Sequence, residues 1–299
     1  MQATLLSLTG SVWATGANVC IRRNSIRKGS LAGFFSCYFF ASLLFSLLFA
    51  PEIFGQSLNI PMISIGAVVG VINAILVLLA GRAIQTGPSG LTFSFQNASS
   101  IFPGLILFLL FGPTFGFGLS AIQMIGMVLV IFGLFWAAQN KEATTKASKK
   151  WLFYAGGLAL LQALAFSIIQ WRTLLFGSDT PSHFLVPFTL SESSDIWFMP
   201  GMFGASCLFE LVLFLREKRF WHTSEVTYGL LGGIFNGLTT YFLVLSTKLA
   251  ESYETAILFP CFAVATMIFS NLWAKKFYHE PFHVRAHAVC SLGVILGAV

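Results

Sequence analysis

The sequence predicts an all-α polytopic membrane protein of about ten transmembrane helices in two inverted five-helix repeats, on three observations. Hydrophobic residues make up 56% of the 299 residues and charged ones only 9%, whereas an ordinary soluble domain carries roughly 25% charged residues. The apolar residues come in runs of about 20, the length that crosses a hydrocarbon core of roughly 30 Å at 1.5 Å rise per residue. Polar and glycine motifs of the first half return at matching places in the second.

Apolar runs bounded by charge, Pro or Gly put the first five spans near 3–21, 31–50, 61–81, 91–112 and 117–138. A polar linker, 140–150, follows, and the second set lies near 151–171, 196–215, 226–247, 254–274 and 284–299. The chain therefore divides into a first repeat over 1–139, the linker, and a second repeat over 151–299. The first span has no basic stretch before it and Arg22 and Arg23 after it, the pattern of an uncleaved anchor.

Lys and Arg fall on alternate loops. Arg22, Arg23, Arg27 and Lys28 follow the first span, Arg82 the third, Lys141, Lys146, Lys149 and Lys150 the fifth, Arg216, Lys218 and Arg219 the seventh, and Lys275, Lys276 and Arg285 the ninth. The other loops hold only Arg172 and Lys248. Basic residues near span ends stay cytoplasmic, so both termini are expected outside and the linker inside. An integral position in a bacterial inner membrane follows. The net charge of +6 does not read as a nucleic-acid footprint, because the basic residues never form one patch with stacking aromatics. Cys20, Cys37, Cys207, Cys261 and Cys290 all lie in apolar segments, with no disulfide framework or zinc-finger spacing.

The repeat is carried by Gly70-Val-Ile-Asn73 in the third span and Gly233-Ile-Phe-Asn236 in the eighth, followed by Arg82 and Lys248 respectively. Ser99-Ser-Ile-Phe-Pro103 parallels Thr255-Ala-Ile-Leu-Phe-Pro260, and each half closes on a glycine-bearing span, with Gly126 and Gly133 or Gly293 and Gly297. Five spans per half is an odd number, so the second half sits upside down relative to the first, an arrangement typical of secondary transporters.

These residues resemble the drug/metabolite transporter superfamily in its ten-helix, EamA-like form. The likeness is best over Leu249–Pro260, Phe277-Tyr-His-Glu280-Pro281 and the glycine-rich last span, and looser in the first half, where Pro113-Thr114 stands in place of a common acidic residue. The resemblance implies carriage of a small metabolite by alternating access, without a cofactor. Many members are described with cytoplasmic termini, whereas sugar-transporting branches similar to the rhamnose transporters have external ones. The charge pattern here points to such a branch.

Polar side chains at mid-span are costly in lipid and face a bundle interior or a cavity. Asn73, Gln96, Asn97, Asn236, Thr240 and Tyr241 are therefore the candidate substrate-binding residues, with bonding between neighbouring helices as their other reading. Arg82, Lys248, Glu210 and Glu254 are the candidates for gating or coupling. Arg82 and Lys248 also read as interfacial anchors, Lys248, with Glu251 three positions on, as half of a helical ion pair, and Glu210 as a snorkelling partner of Arg216. His279-Glu280-Pro281-Phe282-His283 fits the HExxH zinc-protease pattern, with His287 beyond it, but Pro281 in mid-motif breaks the helix that pattern needs. No metal and no catalytic residue is expected, and the alternatives to transport are a membrane-embedded enzyme built on that motif or a structural membrane protein. The expected partners are the lipid bilayer and a small-molecule substrate, with no nucleic acid and a homodimer left open.

Overall fold

The computed structural model describes residues 2–27, 29–112, 115, 120–138, 148–176, 183–249, 252–279 and 284–296. Their helices are α1 Gln2–Ile26, α2 Leu31–Leu48, α3 Ile60–Thr86, α4 Ser89–Ala98, α5 Phe102–Phe111, α6 Ala121–Ala138, α7 Lys149–Trp171, α8 Phe198–Arg216, α9 Thr223–Leu249, α10 Ser252–Tyr278 and α11 Val284–Leu296. Among the described residues six segments are long and apolar enough to cross a membrane: Leu31–Leu48, Ile60–Thr86, Leu91–Phe111, Lys149–Phe176, Glu192–Arg216 and Thr223–Ser246. The protein is an all-α, polytopic integral membrane protein.

Several helices depart from the predicted spans for physical reasons. α1 has the length, at 25 residues, but spends it on Ser7, Ser11, Thr15 and Asn24, which are buried against other helices rather than turned to lipid. The predicted fourth span is two helices, α4 and α5, joined by a 3-10 turn at Ser99–Ile101. Pro103 has no N–H to give and its ring collides with the carbonyl four residues back, at Ser99, so the ladder breaks there. α6 starts at Ala121 because Ser120 and Gln123 cap it reciprocally: Ser120 Oγ accepts from the Gln123 N–H at 3.1 Å and Gln123 Oε1 from the Ser120 N–H at 2.8 Å. Lys149 and Lys150, assigned to the linker, instead open α7, whose N-cap Ser148 accepts from the Trp151 N–H at 3.0 Å.

The close helix pairs form a scheme with internal correspondence. α1 packs on α9 as α7 packs on α3; α2 packs on α9 as α8 packs on α3; α1 packs on α10 as α7 packs on α4. The pairs α2/α8, α4/α10 and α6/α11 complete it. Glycines set the closest approaches. At Gly70 a Cβ would run into the Met202 carbonyl of α8, and at Gly233 into the Tyr38 carbonyl of α2. Each crossing is bridged by one serine: Ser206 Oγ donates to Gly70 O at 2.8 Å or to Met202 O at 2.9 Å, and Ser42 Oγ to Gly233 O at 2.9 Å or to Tyr38 O at 3.1 Å. Small residues that let backbones touch are the means by which helices associate in lipid, where apolar burial supplies no driving force. The largest buried cluster, with Phe34, Phe35, Tyr38 and Phe39 of α2 and Phe198 and Phe203 of α8, surrounds these crossings.

At one end of the molecule Glu225, fully buried, accepts from the Ser30 N–H at 2.6 Å, from Arg219 Nη2 at 2.6 Å and from the His222 N–H at 3.1 Å. One carboxylate thus caps α9, holds the start of α2 and pairs with Arg219, whose guanidinium it pushes above its ordinary pKa.

Candidate functional site

A cavity of about 150 Å³ lies in the middle of the bundle, lined by residues of α1, α2, α3, α4, α7, α8, α9 and α10; its wall is mostly apolar, with Phe166, Phe198, Phe259 and Phe262 among the lining residues, and amides and hydroxyls are set into it. Five of the six predicted binding residues meet there: Asn73 of α3, Gln96 and Asn97 of α4, and Asn236 and Thr240 of α9. Asn73 and Asn236 each sit one turn beyond the glycine that brings its helix against the opposite half, so the same crossing that packs the bundle delivers the amide to the cavity. Asn236 Nδ2 donates to Ser42 Oγ at 3.1 Å, which holds its side chain in place. Gln96 Nε2 donates to Gln162 Oε1 at 3.1 Å across the gap between α4 and α7. Asn97 Nδ2 donates to Phe93 O at 2.7 Å and Thr240 Oγ1 to Asn236 O at 3.0 Å, each bonding back onto its own helix.

Sequence reading missed Asn18, Gln162 and Thr266, which line the same cavity. A signal existed for the first two, each an amide within a predicted span; neither belongs to a motif repeated in the other half. Among the described lining residues none is Asp, Glu, Lys, Arg or His.

Tyr241 does not belong to this cavity. One residue beyond Thr240 is 100° further round α9, and its ring stands 5.7 Å from Phe49 and 6.5 Å from Phe45 in a second space of about 340 Å³. Glu52, Gln56, Glu192, Asp195 and Arg172 line that space too, and Val244 lines both. Arg172, counted from sequence as a loop cation, is only 3% exposed; its Nη1 lies 3.1 Å from Asp195 Oδ1 and its guanidinium 4.1 Å above the Phe198 ring. On the other side of the central cavity Asn18 also lines a space of about 10 Å³ that includes Arg22, and Arg22 borders a surface hollow of about 450 Å³ with Ile84 and Gln85. The spaces thus follow one another along α1 and α9.

Of the gating and coupling candidates, Arg82 and Glu210 have described side chains, and the two lie apart, on α3 and α8. Arg82 is exposed on α3 and lines none of these spaces, a position that fits an interfacial anchor. Glu210 is fully buried in α8, and neither of its carboxylate oxygens has a hydrogen-bond partner among the described residues. Arg216 is exposed, and no ion pair joins it to Glu210 among the described residues. Lys248 and Glu254 lie on α9 and α10, and their side chains are outside the described residues, as are Glu280, Pro281, Phe282 and His283 of the HExxH pattern. His279 of that pattern follows α10 at φ 52, and His287, beyond the pattern, is buried in α11.

No family model matches the chain, and no curated protein matches it. A crystal structure of a protein superposes with a TM-score of 0.65 over 100% of this chain and 97% of that chain, at 13% identity. At that identity the likeness is one of fold, and it extends over the whole length of both chains.

Proposed function

We propose that this protein is a secondary transporter that moves a small metabolite across a bacterial inner membrane by alternating access, as a ten-span member of the drug/metabolite transporter superfamily with both termini outside. The observation that carries the reading is the convergence of Asn73 and Asn236, matching residues of the two halves, on one cavity inside the bundle. Polar groups at that depth are costly unless they bond one another or a solute. The correspondence of helix pairs under exchange of the halves supports an inverted repeat with the site at its interface. Spaces on either side of the cavity, at Tyr241 and at Arg22, supply the two ends of a path, and rocking of one half against the other would open them in turn.

Ligand binding to the native state raises thermal stability by mass action. Screening sugars, amino acids and nucleotide derivatives against the detergent-purified protein therefore finds the solute, and the Asn73→Ala, Asn236→Ala double variant should lose its shift. A double variant that folds and keeps the full shift overturns the assignment of the site.

A further inference from the structure

The second space, at Tyr241, differs in kind from the central cavity, and we infer that it is a binding site for an organic cation, taken with its ammonium head against aromatic rings. The site goes beyond the transport reading, because it lies outside the central cavity and its occupancy is a matter of binding alone. Its size allows such a guest. About 10–15 Å³ in this measure holds one water, so a space of about 340 Å³ has room for roughly 25 waters, enough for an ammonium head and an apolar body behind it.

Three rings supply one part of the wall. Phe45 and Phe49 stack at 4.1 Å, and Tyr241 stands at 57° to Phe49 and 73° to Phe45, so the three cannot cover one another's faces. Phe45 is 7% exposed but Phe49 is 54% exposed, which leaves ring surface for a guest. A ring face is the negative part of the aromatic quadrupole and attracts a cation held within about 6 Å of its centroid. The charges of the space have the matching sign. Glu52 and Glu192, on the segments that follow α2 and precede α8, are exposed members of the same lining, and among the described residues neither is in an ion pair. Arg172 does not offset them, because Asp195 matches its charge at 3.1 Å and its guanidinium lies over the Phe198 ring. The same sign extends over this end of the chain. The loops poor in Lys and Arg carry Glu52, Asp179, Glu192, Asp195, Glu251 and Glu254 against Arg172 and Lys248, although the whole chain has a net charge of +6. Such a field concentrates cations at the mouth and keeps anions away. Among the described residues no three His, Cys, Asp or Glu side chains gather as metal ligands. The cation that fits rings and carboxylates together is therefore an organic one, an alkylated or methylated ammonium.

The test uses choline and its uncharged isostere 3,3-dimethylbutan-1-ol on the full chain purified in an uncharged detergent. Radiolabelled choline should bind saturably, tetramethylammonium should displace it, and the isostere should compete at least about tenfold more weakly. Tyr241→Leu should weaken choline binding about fivefold or more, and Tyr241→Phe, which keeps the ring, much less. Glu52→Gln with Glu192→Gln, at two exposed positions, should weaken it about threefold or more at low salt and less at high salt. If Tyr241→Leu does not fold, the paired glutamine variant decides. Folded wild-type chain without saturable choline binding, or an isostere that competes as well as choline, overturns the inference. So do ring and carboxylate variants that all bind like the wild type. If Asn73→Ala with Asn236→Ala abolishes choline binding while the Tyr241 and glutamate variants keep it, the cation belongs to the central cavity and the inference is again overturned. Each of these results leaves the transport reading standing, since that reading rests on the central cavity and is tested by flux.

Discussion

Arg172 and Asp195 hold each other out of water at the end of α7, 3% and 7% exposed and 3.1 Å apart. Removing one partner of such a pair strands a buried charge at a cost of about 3–5 kcal/mol, whereas replacing both by apolar side chains is often close to neutral. Asp195→Asn should therefore lower the melting temperature sharply, and Arg172→Met with Asp195→Leu should restore most of the loss; a double variant as unstable as the single one would show that the pair does more than balance its own charge. Nothing in the sequence announced this pairing. Arg172 fitted the loop-charge pattern as one of two exceptions, and Asp195, 23 positions on, reads as loop because burial of a charge depends on a partner that only tertiary structure supplies. Asn73, Asn236, Gln96 and Asn97 were legible because the cost of an amide in hydrocarbon is a property of the residue and its depth alone. Tyr241 was placed correctly on α9 but one residue round it, which sends it to the neighbouring space.

The glycines act at the level of the helix pair. Gly70 and Gly233 press backbone on backbone, so Gly70→Ala or Gly233→Ala should destabilise by about 1–3 kcal/mol through overpacking. Gly204, in the interior of α8, meets nothing within 4 Å, and Gly204→Ala should leave stability unchanged or raise it by up to about 1 kcal/mol, since alanine is the better helix former. Thermal unfolding of the three variants separates a packing role from a general dislike of substitution: equal losses at all three positions would contradict the crossing described here. Hydropathy made α2, α3, α7, α8 and α9 readable to within a few residues. It read α4 and α5 as one helix because an average over twenty residues does not register a missing N–H at Pro103. The Ser120 and Gln123 cap that starts α6 was legible in principle, but the apolar run continues through it.

For the molecule as a whole, the alternation of Lys and Arg between loops makes the proposed orientation testable. Alkaline phosphatase fused after the last residue should be active, and the same enzyme inserted in the linker near Lys146 inactive; the reverse result would invert the topology. The all-α, membrane-spanning character was the most legible feature because lipid imposes the same two demands on every span, length and apolarity, and six described segments meet both. The cavity itself was not legible. Its volume depends on how eight helices tilt around it, and neighbours such as Thr266 come to the site from a helix whose sequence marks nothing there.

The central claim is that the cavity is a transport site, and counterflow in proteoliposomes tests it most directly. Vesicles preloaded with an unlabelled solute that stabilises the purified protein should transiently accumulate the labelled solute from outside, and vesicles bearing the Asn73→Ala, Asn236→Ala variant should not. Folded wild-type protein that binds the solute yet shows no trans-stimulated flux would contradict the account and make the cavity a receptor pocket.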